Sequence, residues 1–200
     1  MPVQLNDSSR QLVLASASIY RRELLQRLGL AFTTIKPSVD ETPQADEHPA
    51  ALAERLATLK ARAGAASTPG ALIIGSDQAA ELDNQILGKP GNRARAVKQL
   101  SQLSGRCVVF HTGLCLHDGR DGREQSTVVP YRVWFRSLDQ NLIERYLDRE
   151  QPYDCTGAFK SERLGIALCE RFQGDDPNAL IGLPLIQLCR MLERVGVSVV

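Results

Sequence analysis

An apolar run of about 18 residues, the length that crosses a bilayer, is missing from this 200-residue sequence. Its start also lacks an apolar stretch of signal-peptide length, so the chain reads as soluble and cytoplasmic. No excess of charge of either sign is present: 24 lysines and arginines face 23 aspartates and glutamates. A face basic enough to hold a nucleic-acid polymer is therefore not expected. The 3 histidines, His48, His111 and His117, are too dispersed for a metal triad, and His111 reads as structural. Cys107, Cys115, Cys155, Cys169 and Cys189 are odd in number and lack CxxC spacing. That argues against both a disulfide framework and a zinc site. Most lie among leucines, as in Leu114-Cys115-Leu116, and read as reduced, packed thiols. Internal repeats, low-complexity linkers and a clean domain boundary are missing as well. The length suits one domain, or one domain folded as two lobes, with residues 1–10 set apart as an N-terminal extension.

What is present is an alternation of strand and helix patterns. Leu12 to Ala15 reads as a buried strand, and Tyr20 to Leu28 as an amphipathic helix with Leu24, Leu25 and Leu28 on one face. Gly29 stands at its C-cap position. A second strand (31–36) ends at Pro37, and an acidic loop through Asp40-Glu41 leads to an alanine-rich helix over 48–66. Ala71 to Gly75 predicts a compact strand that ends in Ser76-Asp77-Gln78. A small hairpin (79–82 with 85–87), a helix (93–103) and two long strands (106–117 and 124–136) follow. A helix (139–150, with Leu138 as a hydrophobic staple), a last strand (166–172), a turn (174–178) and a closing helix (184–195) complete the chain. This order predicts an α/β fold with a mixed sheet.

Chemistry concentrates at the strand ends. Ser16, Ser18, Arg21 and Arg22 join the first strand to the positive end of a helix dipole, which outlines an anion site. In a capping box with Ser18 as N-cap, the third helical position would hold Glu or Gln; Arg21 stands there and calls for a bridging anion. Asp77 leaves a buried strand where open α/β sheets bind ligands, and can hold a divalent cation or accept a proton. Glu41 lies in the loop after the second strand. Lys89, in Gly88-Lys-Pro90, and Lys160, in Phe159-Lys-Ser-Glu162, suit ammonium groups directed at phosphate. Acids for a metal with cations for equatorial oxygens form the inventory of phosphoryl transfer.

These motifs, in this order, resemble the Maf family: Leu14-Ala-Ser-x-Ser-x-x-Arg-Arg22, Val39-Asp-Glu41, Lys60, Gly75-Ser-Asp77, Gly88-Lys-Pro90, His111-Thr-Gly113 and Gly182-Leu-Pro184. The resemblance runs from about Leu12 to the last helix. It implies an elongated two-lobed, mixed-sheet α/β fold related to the inosine triphosphatases, often a homodimer, with a divalent cation such as magnesium or manganese. It also implies hydrolysis of a nucleoside triphosphate between the α- and β-phosphates, with Asp77 as proton acceptor. Ser16, Arg21, Arg22, Glu41, Lys60, Lys89 and Lys160 match family positions associated with phosphate or metal. Ile19 departs from the family, which commonly has proline there; the change is expected to loosen the phosphate loop without removing a chemical group. Tyr20, Gln78 and Glu162 resemble the branch that takes 7-methyl-GTP, where these three positions bear on base choice. At this point two other readings stay open: a dTTP or UTP pyrophosphatase of the sister branch, and a nucleotide-binding regulator of septum formation.

Overall fold

Leu12–Ala15 is buried at every residue, as its unbroken apolar run requires, and forms strand β1. It belongs to a computed structural model that describes residues 10–200. The expected N-terminal extension thus lies outside the described residues, apart from Arg10. That residue is part of the domain, because its guanidinium pairs with the buried Asp118.

Helix α1 (Ile19–Gln26) follows β1. Ser18 is its N-cap, and its hydroxyl accepts from the Arg21 backbone N–H at 3.4 Å. The short strand β2 (Thr33–Ile35) and the long helix α2 (Pro49–Ser67) come next. His48 caps α2 through its ring nitrogen, and Pro49 occupies the first turn, where a missing N–H costs nothing.

Strand β3 runs unbroken from Leu72 to Leu82. This corrects the expectation of a strand ending at Gly75: Asp77 and Gln78 lie inside β3. The Asp83-Asn84 turn, with positive φ at both residues, sends the chain into β4 (Gln85–Leu87) as the hairpin pattern predicted. Helix α3 (Arg93–Leu103), strands β5 (Cys107–Asp118) and β6 (Glu124–Phe135), and helix α4 (Gln140–Glu150) follow close to their expected bounds. Two short 3-10 turns, Thr156–Ala158 and Leu164–Leu168, precede β7 (Cys169–Gln173). The last strand therefore starts later than the expected residue 166. The expected turn at 174–178 already contains the start of α5 (Pro177–Ile181), and α6 (Leu185–Arg194) closes the fold. Among the described residues no helix is long and apolar enough to cross a membrane.

The seven strands form one mixed sheet in the order β2-β1-β3-β5-β6-β7, with β4 joined to β3. β1 is parallel to β2 and β3; every other pairing is antiparallel. The core divides along β3 and β5. Leu72 and Ile74 of β3 pack with Leu114 and Leu116 of β5, α1 and α6 at one end. Ala80 and Leu82 pack with Val108 and Phe110, α3 and α4 at the other. The two-lobed arrangement follows, since one pair of strands carries a large apolar cluster at each end, with two smaller clusters beneath α2.

Helix α2 lies across the joint, and two glycines let it sit close. A Cβ at Gly75 would stand 2.1 Å from the Ala57 carbonyl oxygen, and one at Gly113 would stand 2.1 Å from that of Ala53. Ala53, Ala57 and Ala61 form the small face that meets them and are fully buried. All five cysteines are free. Burial pushes the Cys115 thiol up to about 11 and those of Cys155 and Cys169 to about 12, as expected of packed, protonated thiols.

Candidate active site

The site opens where the sheet forks. β1 pairs with β3 through Gly75, and β4 pairs with the same edge from Ala80 onward. Between them the edge of β3 carries Ser76, Asp77, Gln78 and Ala79 without a strand partner. A cavity of 690 Å³ fills this gap. The sequence-based expectation of a ligand site at a strand's carboxyl end holds for β1 but not for β3.

One end of the cavity is a cluster of charges, with Arg21, Lys60 and Asp77 on regular elements and Glu41 and Lys89 on loops. Lys60, one face of α2, extends its ammonium to Asp77 Oδ1 at 2.6 Å and to Glu41 Oε1 at 2.6 Å. Lys60 is 6% exposed, so this cation is held away from solvent. Partial burial opposes ionisation of Glu41, but the hydrogen bond and charge of Lys60, with Lys89 and Arg21 beyond, outweigh it. The Glu41 carboxyl is held below its ordinary value.

Arg21 reaches the cluster from α1. Its Nε donates to the Gly182 carbonyl oxygen at 2.8 Å, Nη1 lies 3.4 Å from Ser16 Oγ, and Nη2 lies 3.9 Å from Asp77 Oδ1. Burial pulls the guanidinium below its ordinary value while Asp77 and Glu41 work against that; it stays cationic. Ser16 and the exposed Lys89 also line the cavity. Arg21 at the third helical position is thus matched by acids and by a backbone carbonyl rather than left to repel the helix dipole.

A relay of polar contacts supports this anchor. Ser76 Oγ lies 2.9 Å from the same Gly182 oxygen and 2.8 Å from the Gly113 oxygen. Asp176, 2% exposed, accepts from Asn178 N with Oδ1 and from Ile186 N with Oδ2, capping α5 and α6 together. Ser76 and Asp176 were not among the expected site residues. An Asp-Pro-Asn start is a legible N-cap signal, but its second helix lies ten residues on and leaves no local trace.

The other end of the cavity is lined by Tyr20, Asp154, Cys155, Ser161 and Glu162, most of them from the segment around the two 3-10 turns. Burial holds the Tyr20 phenol above its ordinary value although a hydrogen bond from Lys160 draws it down. Phe110, Phe159 and Leu180 supply apolar wall to the same cavity.

Two expectations need correction, and a third is narrowed. Arg22 is exposed and does not line the cavity, because successive residues of a helix point about 100° apart and Arg21 takes the inward direction. Lys160 is not brought to the charged cluster. Its ammonium sits 5.9 Å from the Tyr20 ring centroid, 3.8 Å from Asp154 Oδ1 and 3.9 Å from the buried Glu150 Oε1. Gln78 lines the cavity, but its Nε2 stands 3.0 Å from Thr112 Oγ1 and from the Ala179 and Leu180 carbonyl oxygens. The amide nitrogen therefore ties β3 to α5, and only Oε1 is left to meet a ligand. His111, expected to be structural, pairs with Glu81 at 2.6 Å.

Among the described residues no cluster of three or more His, Cys, Asp or Glu side chains is arranged to hold a metal ion. The two carboxylates that converge on Lys60 are nevertheless hard oxygen donors beside a cavity. Such a pair fits magnesium or manganese, which commonly take one or two carboxylates and complete their shell with substrate phosphates and water.

Comparison with known proteins identifies the chain's relatives. Residues 11–195 match the family model described as "Maf-like protein". A 7-methyl-GTP pyrophosphatase of Nitrosococcus oceani is 55% identical over 188 residues, covering 94% of both chains. A protein of the same name from a Polaromonas species is 55% identical over 194 residues, 97% of this chain and 89% of its own. A third, from Methylobacillus flagellatus, is 54% identical over 189 residues, 94% and 98% respectively. The match spans both lobes and every element that borders the cavity, and the chain belongs to the Maf-like protein family.

Proposed function

We propose that this protein hydrolyses 7-methyl-GTP to 7-methyl-GMP and pyrophosphate, removing a modified nucleotide from the pool. One observation carries the chemistry: Asp77 stands at the cavity wall with Lys60 at 2.6 Å and Arg21 at 3.9 Å. A carboxylate is thereby set among cations where a polyphosphate would be neutralised. The relatives' shared name supports the substrate.

In this reading Arg21, Lys60 and Lys89 take phosphate oxygens, and Ser16 adds a hydroxyl beside Arg21. A water oxygen attacks the α-phosphorus, its proton passes to Asp77, and the bond to the bridging oxygen of the β-phosphate breaks to release pyrophosphate. Glu41 and Asp77 would hold a divalent cation, which when bound adds positive charge at the phosphate oxygens.

At the far end, N7-methylation leaves guanine with a delocalised positive charge. Tyr20 offers a neutral, electron-rich face for that ring. Glu162 accepts from the N1–H and N2–H edge and offsets the charge. Gln78 Oε1 can complete the contact. Lys160, over Tyr20, acts on base position rather than on phosphate.

The test is a panel of canonical and methylated nucleoside triphosphates with magnesium, read out as pyrophosphate. Turnover is expected to be highest on 7-methyl-GTP. A preference for dTTP or UTP would overturn the base assignment, and no pyrophosphate from any nucleotide would overturn the activity.

A further inference from the structure

A single ammonium fills the space between the two carboxylates of the charged cluster. Lys60 Nζ is 2.6 Å from Glu41 Oε1 and 2.6 Å from Asp77 Oδ1. Glu41 and Asp77 are also the two carboxylates that would hold a divalent cation in the proposed reaction. We infer that Lys60 is the resident cation of the metal position in the nucleotide-free protein, and that the phosphates of the substrate must draw it away before a divalent cation is held. The inference rests on the pyrophosphatase reading and adds an order of events to it: metal and nucleotide bind as a pair, coupled through Lys60.

Three features of the site lead there. An ammonium and a dication competing for the same two carboxylates repel at short range; water screens them little on the Asp77 side, where the Lys60 and Asp77 side chains are 8% and 15% exposed, and more at Glu41, which is 58% exposed. Displacement needs a new anionic partner for that ammonium, because stripping it of both carboxylates would leave a buried charge unpaired. Phosphate oxygens arriving in the cavity supply the partner.

The second feature is the choice of cation. Arg21 is fixed by its Nε bond to the Gly182 carbonyl at 2.8 Å, and Lys89 is already exposed. Lys60 has a flexible four-carbon stem on a helix whose alanine face is locked against the sheet, so its head group can change partners while its backbone stays put. The third is the incomplete donor set. Among the described residues no third acid, histidine or cysteine joins Glu41 and Asp77. The cation completes its shell with water and with the phosphate oxygens that the nucleotide brings.

The test uses nucleotide-free protein titrated with Mn²⁺ and followed by the electron paramagnetic resonance of the free ion. Lys60→Met is expected to tighten Mn²⁺ binding by about tenfold or more, and Lys89→Met, which removes a charge at the rim, by about threefold or less. Unchanged affinity in Lys60→Met, or equal tightening in both variants, would overturn the inference, because general electrostatics would then account for it. Wild-type protein provides a second measurement that stands even where Lys60→Met does not fold. In a lysine-selective NMR spectrum, pyrophosphate alone is expected to shift the Lys60 signal and Mg²⁺ alone to leave it in place. A shift by Mg²⁺ alone would overturn the inference. Neither measurement contains a base, so an error in the 7-methylguanine assignment would appear in the substrate panel and leave both readouts intact.

Discussion

The two ends of the cavity are built from different material. At the charged end, Asp77 sits inside an eleven-residue strand, Lys60 on a nineteen-residue helix and Arg21 in the first turn of α1. Each is tied by at least one further contact, and Lys60 and Ser16 are buried. Glu41 and Lys89 reach that end from loops. At the base end, Tyr20 and Gln78 share α1 and β3 with Arg21 and Asp77, whereas Asp154, Ser161 and Glu162 ride on an irregular segment around two short 3-10 turns, and Glu162 is exposed. The difference follows the work. Bond cleavage requires charges held to fractions of an ångström, which hydrogen-bonded elements provide. Base choice is a matter of shape and charge that a more pliable segment can supply.

The first way to break this comparison is Asp77→Asn. The amide keeps the shape and can still accept from Lys60, so the fold should survive while turnover falls by about 10²–10⁴-fold on every nucleotide. Near-normal turnover by the folded variant would remove Asp77 from the reaction.

A narrower test contrasts two neighbours. Arg21→Ala should lower kcat/KM by roughly 10- to 100-fold whatever the base, the range for a hydrogen bond to a charged group. Arg22→Ala, on the outer face of α1, should stay within about twofold of wild type. Equal losses from the two changes would mean that α1 presents both arginines to the substrate.

The smallest effect sharpens the base end. Tyr20→Ala and Glu162→Gln should lower kcat/KM on 7-methyl-GTP more than on GTP, by roughly 2- to 30-fold for Tyr20 if the contact is cation–π in strength. Equal losses on both nucleotides would place these residues outside base recognition.

Much of the charged end was legible in the sequence because its signals are local. An apolar tetrad followed by Ser-x-Ser and paired arginines describes a strand, an N-cap and a helix start, and Asp77 stands out as an acid that follows a buried apolar run. Three kinds of information were not local. The run Ser76-Asp77-Gln78 reads as a strand's end, yet β5 pairs with it throughout and carries β3 on to Leu82. Which of two adjacent arginines turns inward depends on Gly182, 161 residues from Arg21 in sequence. Lys160 reads like a phosphate ligand from its neighbours, whereas Glu150, at the end of α4 and 1% exposed at its side chain, helps to place it beside Tyr20.

Helix α2 is seated directly on Gly75 and Gly113, where no strand side chain separates the Ala57 and Ala53 carbonyls from the sheet. Those two hydrogen atoms act as the gauge of the charged end. They set how deep the helix rides, and that depth sets how far the Lys60 head group reaches across β3. A methyl group at either glycine would lift the helix as a rigid bar. The ammonium would be carried off Asp77 and Glu41 together, although no charged residue had been touched. The spacing of charges in this protein is thus written in the smallest side chains of its sheet.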